Sequence, residues 1–320
     1  MISFIIKKEE EGQTLEKYVR KTLGEAPLSF IYKLFRKKDV KVNGHWQDKK
    51  YIVSSGEEVS IYITDSQLEE FKRQVESNQL KDISSWIIYE DDNILLINKP
   101  RGVLVQKSSE DSNALDEMVI SYLINKGEYD PNKNLGYKPA PAHRLDRNTA
   151  GIVVFGKNIA TLRYLADALN DKSVISKKYL ALVKGEISKD GEINAPLVKN
   201  SKTQRVTVSN EGRPSLTRYH VLETFKGYSL LEVELLTGRT HQIRVHMSHI
   251  GHPVIGDSKY GDYELNKEIE TKYGFKNQFL EAYQLDFNKL NNPLKYLSGR
   301  TFKISLTDEF LNLIDSIKGE

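Results

Sequence analysis

Asp146 sits between Arg144 and Arg147 in the segment Pro139-Ala-Pro-Ala-His-Arg-Leu-Asp-Arg-Asn-Thr-Ala-Gly151, which leads into an apolar run. Two prolines and a closing glycine hold this polar core just before an apolar strand, and loops held at a strand end often carry function. Guanidinium groups on either side favour an ionised carboxylate. Such a group can act as a nucleophile or a base, and the pattern alone fits a structural ion pair equally well.

A second cluster is Thr237-Gly-Arg-Thr-His-Gln-Ile-Arg-Val-His246. Thr240 is placed to cap a helix over Thr240–Ile250 whose first turns carry His241, Gln242 and Arg244, and a donor-rich helix start suits an anion. Val245 and Ile250 mark its buried side. His241, His246, His249 and His252 raise the possibility of a metal, with His246 and His249 three apart. No carboxylate lies within the segment, and the spacing matches neither His-Glu-x-x-His nor a facial triad, so no metal site is expected.

The elements that must position these groups follow from periodicity. Leu15, Tyr18, Val19 and Leu23 share one face of a helix over Thr14–Leu23, and Ser29 is a candidate cap for a second helix running to about Lys38. Ile31, Leu34 and Phe35 face inward there, leaving Lys33, Arg36 and Lys37 wet. Val40–Gly44 is an alternating strand ending in an Asn-Gly turn, and Val59–Ile63 is another strand. Residues 65–85 are polar and read as a linker, partly helical. From Trp86 the texture changes. Ile87-Ile-Tyr and Ile94-Leu-Leu-Ile form a hairpin, and strands are expected at Gly151–Gly156, Lys178–Lys184, Ser215–Thr224 and Tyr228–Leu236. Helices are expected at Asn158–Leu169 and Asp308–Ile317. Long hairpinned strands with interspersed helices indicate an α+β fold around a mixed, mainly antiparallel sheet flanked by helices, preceded by a small α/β domain.

Bulk properties narrow the functional class. The chain has 320 residues, 39% hydrophobic and 28% charged, enough for a large domain and a small one. There are no cysteines, which excludes disulfides, thiolate nucleophiles and cysteine zinc sites. No apolar run approaches the ~18 residues of a membrane span, and charge follows only a very short apolar stretch at the start, the reverse of a signal peptide. A cytoplasmic enzyme is the expectation. Between Gly12 and Tyr62 ten lysines and arginines face six acidic residues, against a net +3 for the whole chain. The basic excess therefore sits in the first fifth, where it would attract phosphates or simply form a solvated face. No Walker loop or Gly-x-Gly-x-x-Gly is present, and no cofactor is expected.

The first cluster resembles the His-Arg-Leu-Asp-x-x-Thr-Ser-Gly motif of the RluA family of pseudouridine synthases. Ile94-Leu-Leu-Ile-Asn-Lys-Pro-Arg-Gly102, Lys178-Tyr-Leu-Ala-Leu-Val183 and Gly238-Arg-Thr-His-Gln-Ile-Arg244 follow in the family's order, and His252-Pro-Val-Ile-Gly-Asp257 with Lys259-Tyr-Gly261 extends the match. The resemblance runs from about Trp86 to the C-terminus. Residues 1–64 resemble an S4-type RNA-binding domain, with 65–85 as linker and 86–320 as catalytic domain. Asn148, Ala150 and Gln106 stand where Asp, Ser and His are frequent in the family.

The resemblance implies isomerisation of uridine to pseudouridine, closest to the RluC type that modifies large-subunit ribosomal RNA. This reaction breaks the C1′–N1 bond, turns the base and joins C1′ to C5, without redox change or group donor. It implies Asp146 acting at the ribose, as nucleophile or base, with Arg244 pairing to it and Tyr179 stacking on the uracil. Arg144 would fill the space left by the extruded nucleotide, Ile243 would pack against Tyr179, and His143, Arg147 and Arg239 would order loops or touch RNA. Arg20, Lys21, Lys33, Arg36, Lys37 and Lys38 are the candidate RNA-binding residues of the N-terminal module. The implied partner is large-subunit ribosomal RNA or its precursor, with no membrane and a monomeric chain. A non-catalytic RNA-binding or ribosome-assembly protein, an enzyme acting on tRNA, and a base-excising glycosidase are the rival readings.

Overall fold

The computed structural model describes residues 1–24, 26–71, 81–107, 113–131 and 137–319. In chain order its elements are β1 (Ile2–Ile5), α1 (Leu15–Thr22), α2 (Leu28–Lys37), β2 (Val40–Val42), β3 (His45–Trp46), β4 (Glu58–Ile61), α3 (Asp65–Phe71), β5 (Ile87–Glu90), β6 (Ile94–Lys99), α4 (Leu115–Asn125), β7 (Ala140–Pro141), β8 (Ala150–Gly156), α5 (Ile159–Ala168), β9 (Ile175–Lys184), β10 (Gly191–Asn194), β11 (Leu197–Lys199), β12 (Val206–Val208), β13 (Leu216–Phe225), β14 (Tyr228–Leu235), α6 (Gln242–His249), α7 (Tyr263–Tyr273), β15 (Leu280–Phe287), β16 (Arg300–Lys303) and α8 (Asp308–Lys318). Two compact units emerge: Met1–Ser85 with Asp116–Ala140 and Gly156–Arg163, and Trp86–Leu115 with Pro141–Phe155 and Tyr164–Glu320. Among the described residues no helix is long and apolar enough to cross a membrane.

The N-terminal part of the first unit is a four-stranded sheet in the order β1-β4-β2-β3 with α1 and α2 packed on it. Thr14 caps α1 by accepting the Lys17 N–H at 3.3 Å. Leu15, Tyr18, Val19 and Thr22 then bury one helical face, the spacing of an amphipathic helix. The expected Ser29 cap is corrected: Pro27 occupies that position and α2 starts at Leu28. The proline ring fixes φ near the −58° seen here and needs no hydrogen-bond donor, so the helix begins directly after it and Ser29 falls in the first turn. Asn43 and Gly44 have φ of 50° and 77°, the paired positive values of a type I′ turn, and set Val42 opposite His45 in the β2–β3 hairpin. Of the expected linker, Asp65–Phe71 is helical, and residues 72–80 lie outside the described residues.

The second unit is built on a ten-stranded mixed sheet whose main path is β10-β13-β14-β9-β15-β8-β6-β5, with β16 on β15 and β7 on β8. It is an α+β fold. The expected strands form with ends shifted by a few residues, and β15, absent from the sequence reading, is inserted at the centre. It runs antiparallel to β9 and parallel to β8. The close approach to β8 requires Gly151, which has φ of 118°, and where a Cβ would lie 2.3 Å from the Ala282 carbonyl oxygen. All seven residues of β8 are buried. Leu165 and Ala168 of α5 pack with Ile94, Ile152, Val154 and Phe287, whereas Phe310, Leu313 and Ile317 of α8 pack with Leu182 and Ile269.

Candidate active site

The segment that carries Asp146 is anchored on both sides. Leu145 is buried, the Asp146 carbonyl accepts the Thr149 N–H at 3.1 Å, and the Thr149 hydroxyl accepts Gln278 Nε2 at 2.7 Å. Lys99, fully buried at the end of β6, donates to the carbonyls of Pro100 and Val103, each at 2.9 Å, and of Arg147 at 3.1 Å. Burial pulls the Lys99 pKa down to about 7 against the attraction of Asp146. One carbonyl for each of three protons nevertheless suits the ammonium form, which holds the 146–147 backbone from beneath.

Arg244, the third residue of α6, meets two carboxylates. Its Nη1 donates to Asp146 Oδ2 at 3.0 Å, while Nε and Nη2 reach Asp257 Oδ2 and Oδ1 at 2.6 and 2.8 Å. Asp257 is fully buried, and its Oδ1 also accepts the N–H groups of Lys259 and Tyr260. Burial opposes charge on Arg244, but hydrogen bonding and attraction from Asp257, then Asp146, raise its pKa above the ordinary value. Burial likewise opposes charge on Asp257, and Arg244 overcomes it, leaving that carboxyl below its usual range.

The start of α6 differs from expectation. Thr240 is not the cap. His241 takes that position in a left-handed conformation with φ of 55° and gives no side-chain cap. The buried Gln242 side chain folds back instead. Its Oε1 accepts the Arg239 N–H at 3.0 Å and the Thr237 hydroxyl at 2.8 Å, while Nε2 donates to Leu216 O and Thr217 Oγ1. This satisfies the turn before the helix and leaves Thr240 exposed. The Tyr260 hydroxyl accepts the Val206 N–H at 3.0 Å and stands 2.8 Å from His241 Nδ1. Its own proton is therefore assigned to Nδ1, which leaves the imidazole proton on Nε2, 3.8 Å from Asp146 Oδ2. Burial, outweighing Asp146, pushes the His241 pKa below the ordinary histidine value.

Asp146, Tyr179 and Arg244 line one pocket of about 350 Å³. Ile243, Arg144, Arg239 and His143 line it too, but Arg147 does not; its backbone carbonyl is what ties it to Lys99. Tyr179 is buried on β9, and burial, then Asp146, raises its hydroxyl pKa. Arg239 donates Nε to Pro214 O at 3.2 Å, and His143 Nε2 accepts the Val154 N–H at 3.3 Å. His246 is buried with Nδ1 on Thr217 Oγ1 and Nε2 on Ala195 O, both at 2.9 Å, so its two nitrogens serve packing. In the other unit, Arg20, Lys33, Arg36, Lys37 and Lys38 are exposed, and Lys21 donates to Gln13 Oε1 at 2.8 Å. Sequence reasoning missed Lys99, Asp257 and Tyr260 as supports of the site. All three lie inside the quoted motifs, and motif membership was the one signal that pointed to them.

A family model described as RNA pseudouridylate synthase matches residues 93–249. The chain is 32% identical over 307 residues to an uncharacterized RNA pseudouridine synthase of Mycoplasma capricolum, covering 94% of this chain and 96% of that protein. It is 35% identical over 285 residues to ribosomal large subunit pseudouridine synthase C of Salmonella typhi, covering 87% and 86%, and equally so to the Escherichia coli K12 protein of that description. In fold it is similar to human RNA pseudouridylate synthase domain containing 4, with a TM-score of 0.59 and 21% identity over 73% of this chain and 94% of that one.

Proposed function

The chain belongs to the RNA pseudouridine synthases, isomerases that make pseudouridine from uridine in RNA, and on that premise we propose that its substrate is large-subunit ribosomal RNA, with Asp146 as the reacting carboxylate. The observation that carries the site assignment is the Asp146 carboxylate, ion-paired to Arg244 at 3.0 Å, facing a pocket it shares with Tyr179. The substrate class rests on the relatives described as large-subunit enzymes.

The target nucleotide leaves its stack, at a cost of a few kcal/mol, and enters this pocket. Asp146 acts at the ribose as the C1′–N1 bond breaks. The uracil leaves as a delocalised anion, stays against Tyr179 and Ile243, and rotates. C5 then joins C1′, the C5 proton departs and N1 gains one, so the atoms balance. A second carboxylic acid of the glycosidase kind is unnecessary because the leaving base carries its own charge. Arg144, at the exposed mouth, fills the vacated stack, with Arg239, Arg147 and His143 ordering loops or RNA.

Residues 1–64 act as an S4-like RNA-binding domain through Arg20, Lys21, Lys33, Arg36, Lys37 and Lys38, joined by 65–85 to a catalytic domain over 86–320. The enzyme works in the cytoplasm as a monomer without metal or cofactor.

The test is Asp146→Asn. Tritium release from C5-labelled ribosomal RNA falls to background while RNA binding persists; substantial turnover by this variant overturns the assignment. Mapping pseudouridine in ribosomal RNA with and without the gene tests the substrate, and unchanged large-subunit sites refute it.

A further inference from the structure

The strand that carries Tyr179 turns a second functional group into the same pocket. Side chains two apart on a strand share a face, and Lys177 lines the pocket beside Tyr179. Lys178, on the opposite face, pairs with Glu232 at 2.9 Å. Lys177 is half-buried, and among the described residues no carboxylate or hydrogen-bond acceptor meets it. The charge that bears on it is another cation, Lys172, which lines the pocket too. Burial first, and Lys172 second, push its ammonium pKa down to about 8, a cost that a nearby anion would reverse. Asp146 bears on Tyr179 but not on Lys177. The pocket lining thus joins an acidic group and an aromatic ring to Lys177, which no acceptor among the described residues meets, and to Lys172, which donates to the Leu169 carbonyl and is drawn by Glu234 and Asp171. Two residues along a strand span about 6.6 Å, a step on the scale of one nucleotide.

We propose that Lys177, with Lys172 beside it, forms an anion subsite that holds a phosphodiester flanking the extruded uridine. It rests on reading the pocket as a uridine site in RNA. The subsite couples extrusion to electrostatics: the phosphate meets its cations only when the nucleotide has entered, so the contact favours the flipped state over the stacked one. A lysine that merely walls the pocket with its aliphatic stem would lack this dependence on substrate charge.

The experiment uses the full chain and synthetic RNAs containing a uridine that the parent enzyme converts. Each RNA carries natural linkages or one neutral methylphosphonate, on the 5′ or the 3′ side of that uridine. Lys177→Gln raises KM about tenfold, with the loss falling on KM rather than kcat, and reduces the salt dependence of binding by about one phosphate contact, a slope change of ~0.7. Lys177→Arg restores most of the affinity. The neutral linkage on the contacted side costs the parent as much as Lys177→Gln does, and costs that variant nothing more. Equal losses from the neutral linkage in parent and variant, or an unchanged salt slope, overturn the subsite. If Lys177→Gln does not fold, the parent and Lys177→Arg on the same RNAs decide, since indifference of both to either neutral linkage refutes the contact. Absence of product from the parent on any ribosomal RNA instead removes the underlying substrate reading.

Discussion

Arg244 gives Asp257 two nitrogens, at 2.6 and 2.8 Å, and turns the third toward Asp146 at 3.0 Å. The buried carboxylate fixes the plane of the guanidinium, and that plane decides where the Asp146 oxygen rests. A planar, forked cation can bridge two acids in this way; an ammonium on a flexible stem cannot.

Asp257→Asn therefore weakens catalysis without touching the pocket. Single-turnover rate falls on the order of 10²-fold, as expected when a reacting group shifts by about 1 Å, while RNA affinity stays near the parent value. Losing one member of a buried pair also costs ~3 kcal/mol of stability, read from denaturant unfolding. Arg244→Lys loses rate to a similar extent despite keeping its charge. A full-rate Asp257→Asn enzyme would show that Asp146 needs no such brace.

His241 stays neutral with its proton on Nε2 because Tyr260 donates to Nδ1 and burial penalises the charged ring. Protonation turns Nδ1 into a donor, breaks that bond and places an imidazolium beside Asp146, which draws the carboxylate away from the sugar. The sign follows: the His241 pKa is depressed, so kcat holds through neutral pH and falls in acid below the ordinary histidine range. Tyr260→Phe removes the bond that favours the neutral ring, so the acid limb moves up by about half a pH unit. His241→Gln abolishes that limb. Identical pH profiles for the three proteins would refute the coupling.

Lys99→Met keeps the stem of the buried side chain but takes the ammonium from the Pro100 and Val103 carbonyls and leaves Arg147 O with the Gly102 N–H. The cost is ~3 kcal/mol or more, because unsatisfied buried acceptors are expensive. Hydrogen exchange at the Gly102 amide, bonded to Arg147 O, speeds up as the 146–147 backbone loosens. Unaltered exchange and denaturation midpoint would mean that the ammonium is incidental.

The chemistry was more legible in the sequence than its scaffold. Asp146, Tyr179 and Arg244 stand in short motifs that name themselves, and Asn43-Gly44 specifies its turn through the conformations that asparagine and glycine tolerate. β15 left no such trace. It is covered on both faces, Leu280, Glu281 and Ala282 are all buried in succession, and no alternation of period two survives. A fully buried glutamate reads as a surface residue until its surroundings are known. Thr240 misled for a related reason: local sequence favours it as a cap, but Gln242 reaches partners in β13, more than twenty residues back, and takes over the turn. Asp257 could not be ranked among its neighbours because its importance lies in Arg244, which reaches it through space.

The position of β15 has a consequence for how the protein is made. This strand, from the last eighth of the chain, is wedged between β8 and β9, which precede it by a hundred residues and more. During synthesis the acid, in the loop before β8, and the aromatic ring, on β9, emerge before the strand that β8 and β9 share as a neighbour. Closing so long a loop is slow, and until it closes both strands present open edges that invite misassociation. Until β15 docks, the wall that Leu280 adds beside Asp146, Tyr179 and Arg244 is missing from the pocket.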